Sequence, residues 1–110
     1  MNNSPDHLRP IKSIYADDEV IAEILPDFVR NLPNYVDKIR AATGQGDRLA
    51  AARVCHDLKG SAGGYGYPQI SALAEELEGT LKSGGAMELA ATLVEQIATQ
   101  CRLALLALNP

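Results

Sequence analysis

The strongest constraint on the fold of this chain is a set of four apolar-periodic segments separated by glycine-containing breaks. Within each segment, apolar residues recur at steps of three and four, which is the period of a helix with one buried face. Gly44-Gln45-Gly46 and Ser83-Gly84-Gly85 mark two of the breaks, and a glycine-rich stretch before Pro68 marks the other. Because amphipathic helices with short connections pack beside their sequence neighbours, the pattern predicts an all-α, antiparallel up-and-down four-helix bundle.

The first segment, from about residue 17 to residue 43, contains two prolines, Pro26 and Pro33. A proline inside a helix removes one hydrogen bond and clashes with the preceding turn. We therefore expect a short extra N-terminal helix before Pro26, followed by a longer helix that bends at Pro33. The length of the chain fits a single domain over residues 1–110, with residues 1–13 as a loosely ordered N-terminal extension.

The sequence indicates where the second and third helices begin more clearly than where the second one ends. Asp47 is a suitable N-cap for the second helix, and Pro68 suits the first turn of the third. The fourth segment covers residues 86–108. The sequence pattern alone does not determine where the second helix ends, because several glycines in that region could each terminate it. These glycines are Gly60, Gly63, Gly64 and Gly66.

The charge balance and hydropathy argue against several classes of function. The chain has 10 Lys and Arg against 14 Asp and Glu, which gives a formal net charge of -4. An acidic chain is poorly suited to sequence-independent nucleic-acid binding, which depends on basic contacts to phosphates. No segment approaches the roughly 20 apolar residues of a membrane span, and the N-terminus lacks the features of a signal peptide. We expect a cytoplasmic monomer, with neither nucleic acid nor a membrane as partner.

The two cysteines, Cys55 and Cys101, lie in apolar, helix-like contexts and are predicted to be reduced thiols in the core. Cys55 precedes His56 directly, so the two side chains diverge by about 100° on a helix and cannot form a nucleophile pair. The only other histidine is His7, and the sequence contains no zinc-ligand spacing. We therefore expect no metal site.

His56 is the residue on which a functional interpretation depends. A helical-wheel calculation at about 100° per residue places it opposite the apolar stripe of the second helix, so it should face solvent. Lys59 and Gly60 follow one turn later, and Gly63 follows two turns later. The apolar stripe consists of Ala51, Val54, Cys55, Leu58, Ala62 and Tyr65.

The glycines beside His56 distinguish it from a surface histidine that has no function. Each glycine inside a helix costs about 1 kcal/mol relative to alanine, and two of them border the same imidazole. Missing side chains give another molecule room to approach. A neutral imidazole is a nucleophile at about pH 7, and Lys59 could neutralise the charge of a phosphoryl group. The cluster therefore favours attack by His56 on a phosphorus atom presented by a partner.

The stretch His56-Asp57-Leu58-Lys59-Gly60-Ser61-Ala62 resembles the signature of histidine phosphotransfer (HPt) domains. Gly66 and the Leu77-Glu78 pair also match positions that are common in that family. The resemblance extends over about residues 14–81. It implies a four-helix bundle that receives a phosphoryl group from the aspartate of a receiver domain and passes it to another response regulator.

Carried over position by position, the resemblance implies that His56 is the phosphoacceptor, that Lys59 contacts the phosphoryl group and that Gly60 gives a receiver access. It also implies that the second helix continues through Gly60 to about Gly64. The implied partners are response-regulator receiver domains and a hybrid sensor kinase. No cofactor is expected on this chain, and Mg²⁺ is expected to be supplied at the receiver domain. Possible partner contacts beside the histidine are Leu49, Ala52, Arg53 and Gly63.

Two alternatives remain beside this interpretation. The phosphoacceptor and dimerisation segment of a sensor histidine kinase also begins with a pattern that His56 to Lys59 satisfy. That pattern normally continues with Thr or Asn and then Pro, where this chain has Gly60 and Ser61. The chain also lacks the Asn-rich and Gly-rich boxes of a kinase, so no autokinase activity is expected. A non-catalytic helical adaptor would have the same apolar stripes, but it would leave the glycines and Lys59 unexplained.

Overall fold

The computed structural model describes residues 9–108, and over this range the chain is all-helical with four helices and no strands. The helices are α1 (Glu19–Gly44), α2 (Arg48–Gly64), α3 (Pro68–Lys82) and α4 (Met87–Leu108). Within the same range, no helix is both long and apolar enough to cross a bilayer. Residues 1–8, which include His7, lie outside the described part of the chain.

Two predicted helix starts are confirmed. The Asp47 side chain accepts a hydrogen bond from the backbone N–H of Ala50 at 3.0 Å, so it is the N-cap of α2. Pro68 is the first residue of α3, where its missing N–H costs no intrahelical hydrogen bond. The end of α2 at Gly64 also agrees with the expectation that this helix continues through Gly60.

The helix α1 departs from the expected arrangement, because it runs without a break through both Pro26 and Pro33. The expectation of a separate short helix before Pro26 is wrong for this segment. Each proline costs about 3 kcal/mol in a helix interior, whereas burying one large apolar side chain contributes about 1.5–3 kcal/mol. A continuous apolar stripe on both sides of the prolines outweighs their cost. The buried members of that stripe are Leu25, Phe28, Val29, Leu32, Val36 and Ile39.

Each helix packs against two others: α1 and α3 both contact α2 and α4. The largest fully buried side chains come from all four helices and include Leu32, Ile39, Leu58, Ile70, Leu77 and Ile97. Cys55 and Cys101 are buried free thiols, as the sequence predicted. Contacts between α2 and α3 run in opposite order along the two helices. The Ser71 hydroxyl donates to the Lys59 carbonyl at 2.8 Å, while Arg48, at the start of α2, donates to the Leu81 carbonyl at 3.0 Å.

The segment before α1 crosses the turn between α2 and α3. Ser13 is buried, and its hydroxyl donates to the Tyr65 carbonyl at 2.6 Å. The backbone N–H of Ile14 donates to the Gly66 carbonyl at 2.9 Å. Gly66 has φ +87°, and a Cβ atom there would overlap the Ser13 hydroxyl and the Tyr15 ring. The glycine at this turn is therefore required both by its backbone conformation and by the close approach of the preceding segment.

Gly66→Ala is expected to lower the free energy of unfolding by about 2–4 kcal/mol, because left-handed backbone strain and overpacking add together. Gly44→Ala is the matched control, since a Cβ there would meet nothing within 4 Å. That control should change stability by less than about 1 kcal/mol. Urea denaturation of both variants measures the difference. Equal stabilities would show that the segment around Ser13 does not hold the turn.

Candidate functional site

His56 lies on the solvent side of α2, and 65% of its side chain is exposed. The outward orientation predicted from the helical wheel is confirmed. Two grooves flank the imidazole, one towards α1 and one towards α3, which we call the α1 groove and the α3 groove. Residues lining the α1 groove are Asn31, Asn34, Tyr35, Lys38, His56, Asp57, Gly60 and Ser61. Residues lining the α3 groove are Leu49, Ala52, Arg53, His56, Asp57, Glu78 and Lys82.

Glu78 of α3 is the residue that fixes the imidazole. Its carboxylate oxygen Oε2 lies 3.2 Å from Nδ1 of His56, and only 11% of its side chain is exposed. A carboxylate only accepts hydrogen bonds, so this contact favours the tautomer of His56 that carries its proton on Nδ1. The second ring nitrogen, Nε2, then carries a lone pair. In this tautomer, Nε2 is the ring nitrogen that is available as a nucleophile.

Two lysines surround the Glu78 carboxylate. Nζ of Lys59 lies 3.6 Å from Oε1, and Nζ of Lys82 lies 3.4 Å from Oε2. Burial raises the pKa of Glu78, but the hydrogen bond from Lys82 and the charges of Lys59 and His56 together hold that pKa below its usual value. Glu78 is therefore ionised at neutral pH and can accept a hydrogen bond from the N–H group at Nδ1.

Lys59 and Gly60 lie one turn after His56, where Lys59 adds a positive charge and Gly60 leaves the surface open. Lys59 is partly exposed, and its ammonium group lies 3.6 Å from the carboxylate that contacts the imidazole. Gly60 is exposed, and a Cβ atom built there would meet nothing within 4 Å. The fold therefore does not require a glycine at position 60 for packing.

The residues named as possible partner contacts fall into two groups. Leu49, of which 62% is exposed, and Arg53 lie open to solvent along the α3 groove. Ala52 is only 4% exposed and forms the floor of that groove. Gly63 lies against α3, where an added Cβ would come 3.3 Å from the Ser71 hydroxyl oxygen. The close packing of α2 against α3 thus explains why a small residue occupies position 63, which the sequence alone did not indicate.

The part played by Glu78 was not predicted from the sequence. The Leu77-Glu78 pair was identified only as a match to the family pattern, with no contact expected for the glutamate. Two signals were present: Glu78 adjoins the apolar stripe of α3, and Lys82 follows it at the i,i+4 spacing of a helical ion pair. Neither signal reveals that the carboxylate also meets His56, because that contact joins two different helices.

The assembled site has an exposed imidazole, a largely buried carboxylate 3.2 Å from its Nδ1 and a lysine one turn away on the same helix. Such an arrangement suits attack on an electrophile that carries negative charge. Over residues 9–108, no three His, Cys, Asp or Glu side chains form a cluster that could hold a metal ion.

Comparison with known families agrees with this geometry. The sequence matches the Hpt domain family over residues 23–108, which is nearly the whole chain and includes every residue of the site. No match was found to a curated protein or to a solved structure.

Proposed function

The chain belongs to the Hpt domain family, which carries out histidine phosphotransfer in phosphorelays, and from this premise we propose a specific reaction for His56. His56 accepts a phosphoryl group from the aspartate of one receiver domain and transfers it to the aspartate of another response regulator. The observation that carries the proposal is the exposed imidazole whose Nδ1 lies 3.2 Å from a largely buried carboxylate.

The forward step uses the lone pair of Nε2. It forms the N–P bond while the P–O bond to the receiver's aspartate breaks, and the electron pair of that bond stays on the aspartate carboxylate. The imidazole ring becomes positively charged because Nδ1 keeps its proton. Glu78 stabilises this charge through its contact with Nδ1. In the second transfer, the positively charged ring is a good leaving group, so the same contact serves both directions.

We also propose that Lys59 contacts the phosphoryl group. A phosphoryl group adds a charge of about -1.5 to -2 at pH 7, and Lys59 is one turn from His56 on the same helix. In the free protein its ammonium group lies 3.6 Å from Glu78 Oε1. We propose that Lys59 exchanges this carboxylate for the phosphoryl oxygens when His56 is phosphorylated.

Lys59→Ala should slow phosphoryl transfer by about 10-fold or more, because charge-assisted hydrogen bonds are among the stronger polar contacts. Lys59→Arg should retain more activity, although its guanidinium differs in geometry. Unfolding free energy should change by less than about 1 kcal/mol in both variants, as at most exposed sites. Single-turnover transfer rates provide the measurement. Equal rates for the wild type and Lys59→Ala would remove Lys59 from the reaction.

The proposal includes the arrangement and partners of the domain. The opposite order of contacts along α2 and α3, together with the short connections after each helix, supports an antiparallel up-and-down bundle. The proposed partners are receiver domains and a hybrid sensor kinase in the cytoplasm, with the chain acting as a monomer. Mg²⁺, where the reaction requires it, is supplied by the receiver domain.

The proposed function is tested by mixing the purified chain with receiver domains that carry labelled aspartyl phosphate. Acid-labile label should appear on the chain and then move to a second, unphosphorylated receiver. Incubation with labelled ATP alone should leave the chain unlabelled. Rapid labelling by ATP would instead support the kinase-segment interpretation. A failure of every receiver of the source organism to transfer label would contradict the proposal.

A further inference from the structure

Lys82 lies in the last turn of α3 and shares a carboxylate oxygen with the imidazole. Its Nζ is 3.4 Å from Glu78 Oε2, and the same oxygen is 3.2 Å from His56 Nδ1. Lys59 lies nearer to the other oxygen, Oε1. The two lysines therefore hold different atoms of Glu78, and only Lys82 shares the oxygen that faces His56.

We propose that Lys82 is a positioning residue for phosphotransfer: it keeps Glu78 ionised and directed at Nδ1 of His56 while Lys59 moves to the phosphoryl group. The inference rests on the proposed function of His56. It assigns separate tasks to two lysines that surround one carboxylate, with Lys59 serving the reacting group and Lys82 serving the group behind the imidazole.

The need for a second cation follows from the exchange made by Lys59. When Lys59 turns to the phosphoryl group, Oε1 of Glu78 loses its nearest positive charge. Glu78 is only 11% exposed in its side chain, so water cannot fully replace that charge. Until the N–P bond forms, the imidazole is neutral, so without Lys82 the shielded carboxylate would have no cation beside it and would be driven towards its protonated form. Protonated Glu78 would not stabilise positive charge on the ring and would be a weaker acceptor for the hydrogen bond from Nδ1.

Lys82 is suited to remain in place during this exchange. It follows Glu78 at the i,i+4 spacing, in the order that is the more favourable one for a helical ion pair. A lysine in the last turn of a helix is also favoured by the helix dipole. Between two exposed residues such a pair contributes little. Here one partner is largely shielded and directly contacts the nucleophile, so the charge of Lys82 acts on the reacting ring.

The titratable groups around Glu78 support this assignment. Burial raises the pKa of the neighbouring Cys55 to about 12, with a smaller contribution from Glu78, so Cys55 stays a neutral thiol. Arg53 and Asp57 line the same groove and carry opposite charges. The charged or titratable side chains facing Glu78 or lining its groove are Arg53, Cys55, His56, Asp57 and Lys59 from α2, with Lys82 from α3.

The pH dependence of transfer should reveal the role of Lys82. Transfer requires a neutral imidazole and an ionised Glu78, so the rate falls when the imidazole is protonated and falls further when the pH drops through the pKa of the carboxyl. The cations around Glu78 hold that pKa below its usual value. Removing Lys82 raises the pKa, so the fall in rate should begin at a higher pH. Loss of a general surface charge would lower the rate at all pH values. It would not move the acidic limb of the pH–rate profile, which is the part where the rate falls at low pH.

The test compares Lys82→Met and Lys82→Arg by single-turnover transfer from a phosphorylated receiver between about pH 4 and pH 8, the range that spans ordinary Glu and His pKa values. Lys82→Met should lower the rate at pH 7 by about 3- to 10-fold, which corresponds to at most about 1.4 kcal/mol of barrier. It should also move the acidic limb upwards, whereas Lys82→Arg should restore both properties. Lys12→Met, at an exposed lysine outside the site, is the matched control and should behave like the wild type.

Two further measurements make the outcome decisive. In a Glu78→Gln background, Lys82→Met should have no additional effect, because Lys82 acts only through the carboxylate. An equal loss in both backgrounds, or an unmoved acidic limb, would overturn the proposal. NMR titration of the Glu78 carboxyl in the free protein should give a higher pKa in Lys82→Met than in the wild type. This titration needs no receiver, so an unchanged pKa refutes the role of Lys82 even if the proposed phosphotransfer itself fails.

Discussion

His56→Gln is expected to abolish acceptance of a phosphoryl group while leaving the helical fold intact. The substitution removes the only nucleophilic ring nitrogen of the site, and the amide of glutamine cannot form an N–P bond under these conditions. The side chain of His56 is 65% exposed, so the free energy of unfolding should change by less than about 1 kcal/mol. Labelling by a phosphorylated receiver and thermal melting, measured on the same preparation, separate the two effects.

The second histidine of the chain supplies the matched control. His7→Gln should accept label at the wild-type rate, since the proposed site involves only His56. Full labelling of His56→Gln, or labelling lost only when His7 is replaced, would be incompatible with His56 as the acceptor.

Gly60→Gln should lose most phosphotransfer without losing stability. Position 60 is inside α2, and a Cβ atom there meets nothing within 4 Å, so the fold tolerates a side chain. Glutamine is also a better helix former than glycine, by up to about 1 kcal/mol. The melting temperature should therefore stay constant or rise by about 4–8 °C per kcal/mol gained. The long side chain, however, would stand one turn from the imidazole and obstruct a receiver domain, so transfer should fall by about 100-fold or more, as when reacting groups are misplaced by about 1 Å.

Gly79→Gln is the matched control for this result. Gly79 is inside α3, and a Cβ there also meets nothing within 4 Å, but it lines neither groove beside His56. Its substitution should change the melting temperature in the same direction and leave transfer intact. If both variants become more stable and neither loses transfer, Gly60 has no role in giving a receiver access to His56. The interpretation of the chain as a non-catalytic helical adaptor predicts this result. A loss of stability in Gly60→Gln would contradict the open surroundings of this position.

The helices were predictable from the sequence because their signals are local. Asp47 caps α2 through an N–H three residues away, and Pro68 begins α3 within its own first turn. The prediction failed at Pro26, where a local rule conflicted with packing over the whole length of α1. A proline indicates the cost of continuing a helix, but the apolar burial that outweighs this cost is visible only when the neighbouring helices are in place.

The site shows the same division between local and distant information. The orientation of His56 and the open surface at Gly60 follow from the period of one helix. The contact with Glu78 joins residues separated by 22 positions, and its 3.2 Å distance depends on how α3 lies against α2. The tautomer of the nucleophile and the sharing of one carboxylate by two lysines therefore required the folded arrangement.

The most direct test of the account is to identify the phosphorylated atom. The chain, labelled with ¹⁵N and phosphorylated by a receiver domain, can be studied by ¹H, ¹⁵N and ³¹P NMR at neutral pH. The account predicts one phosphoryl group on Nε2 of His56, with a proton retained on Nδ1 and directed at Glu78. A phosphoryl group on Nδ1, or on any residue other than His56, would contradict it.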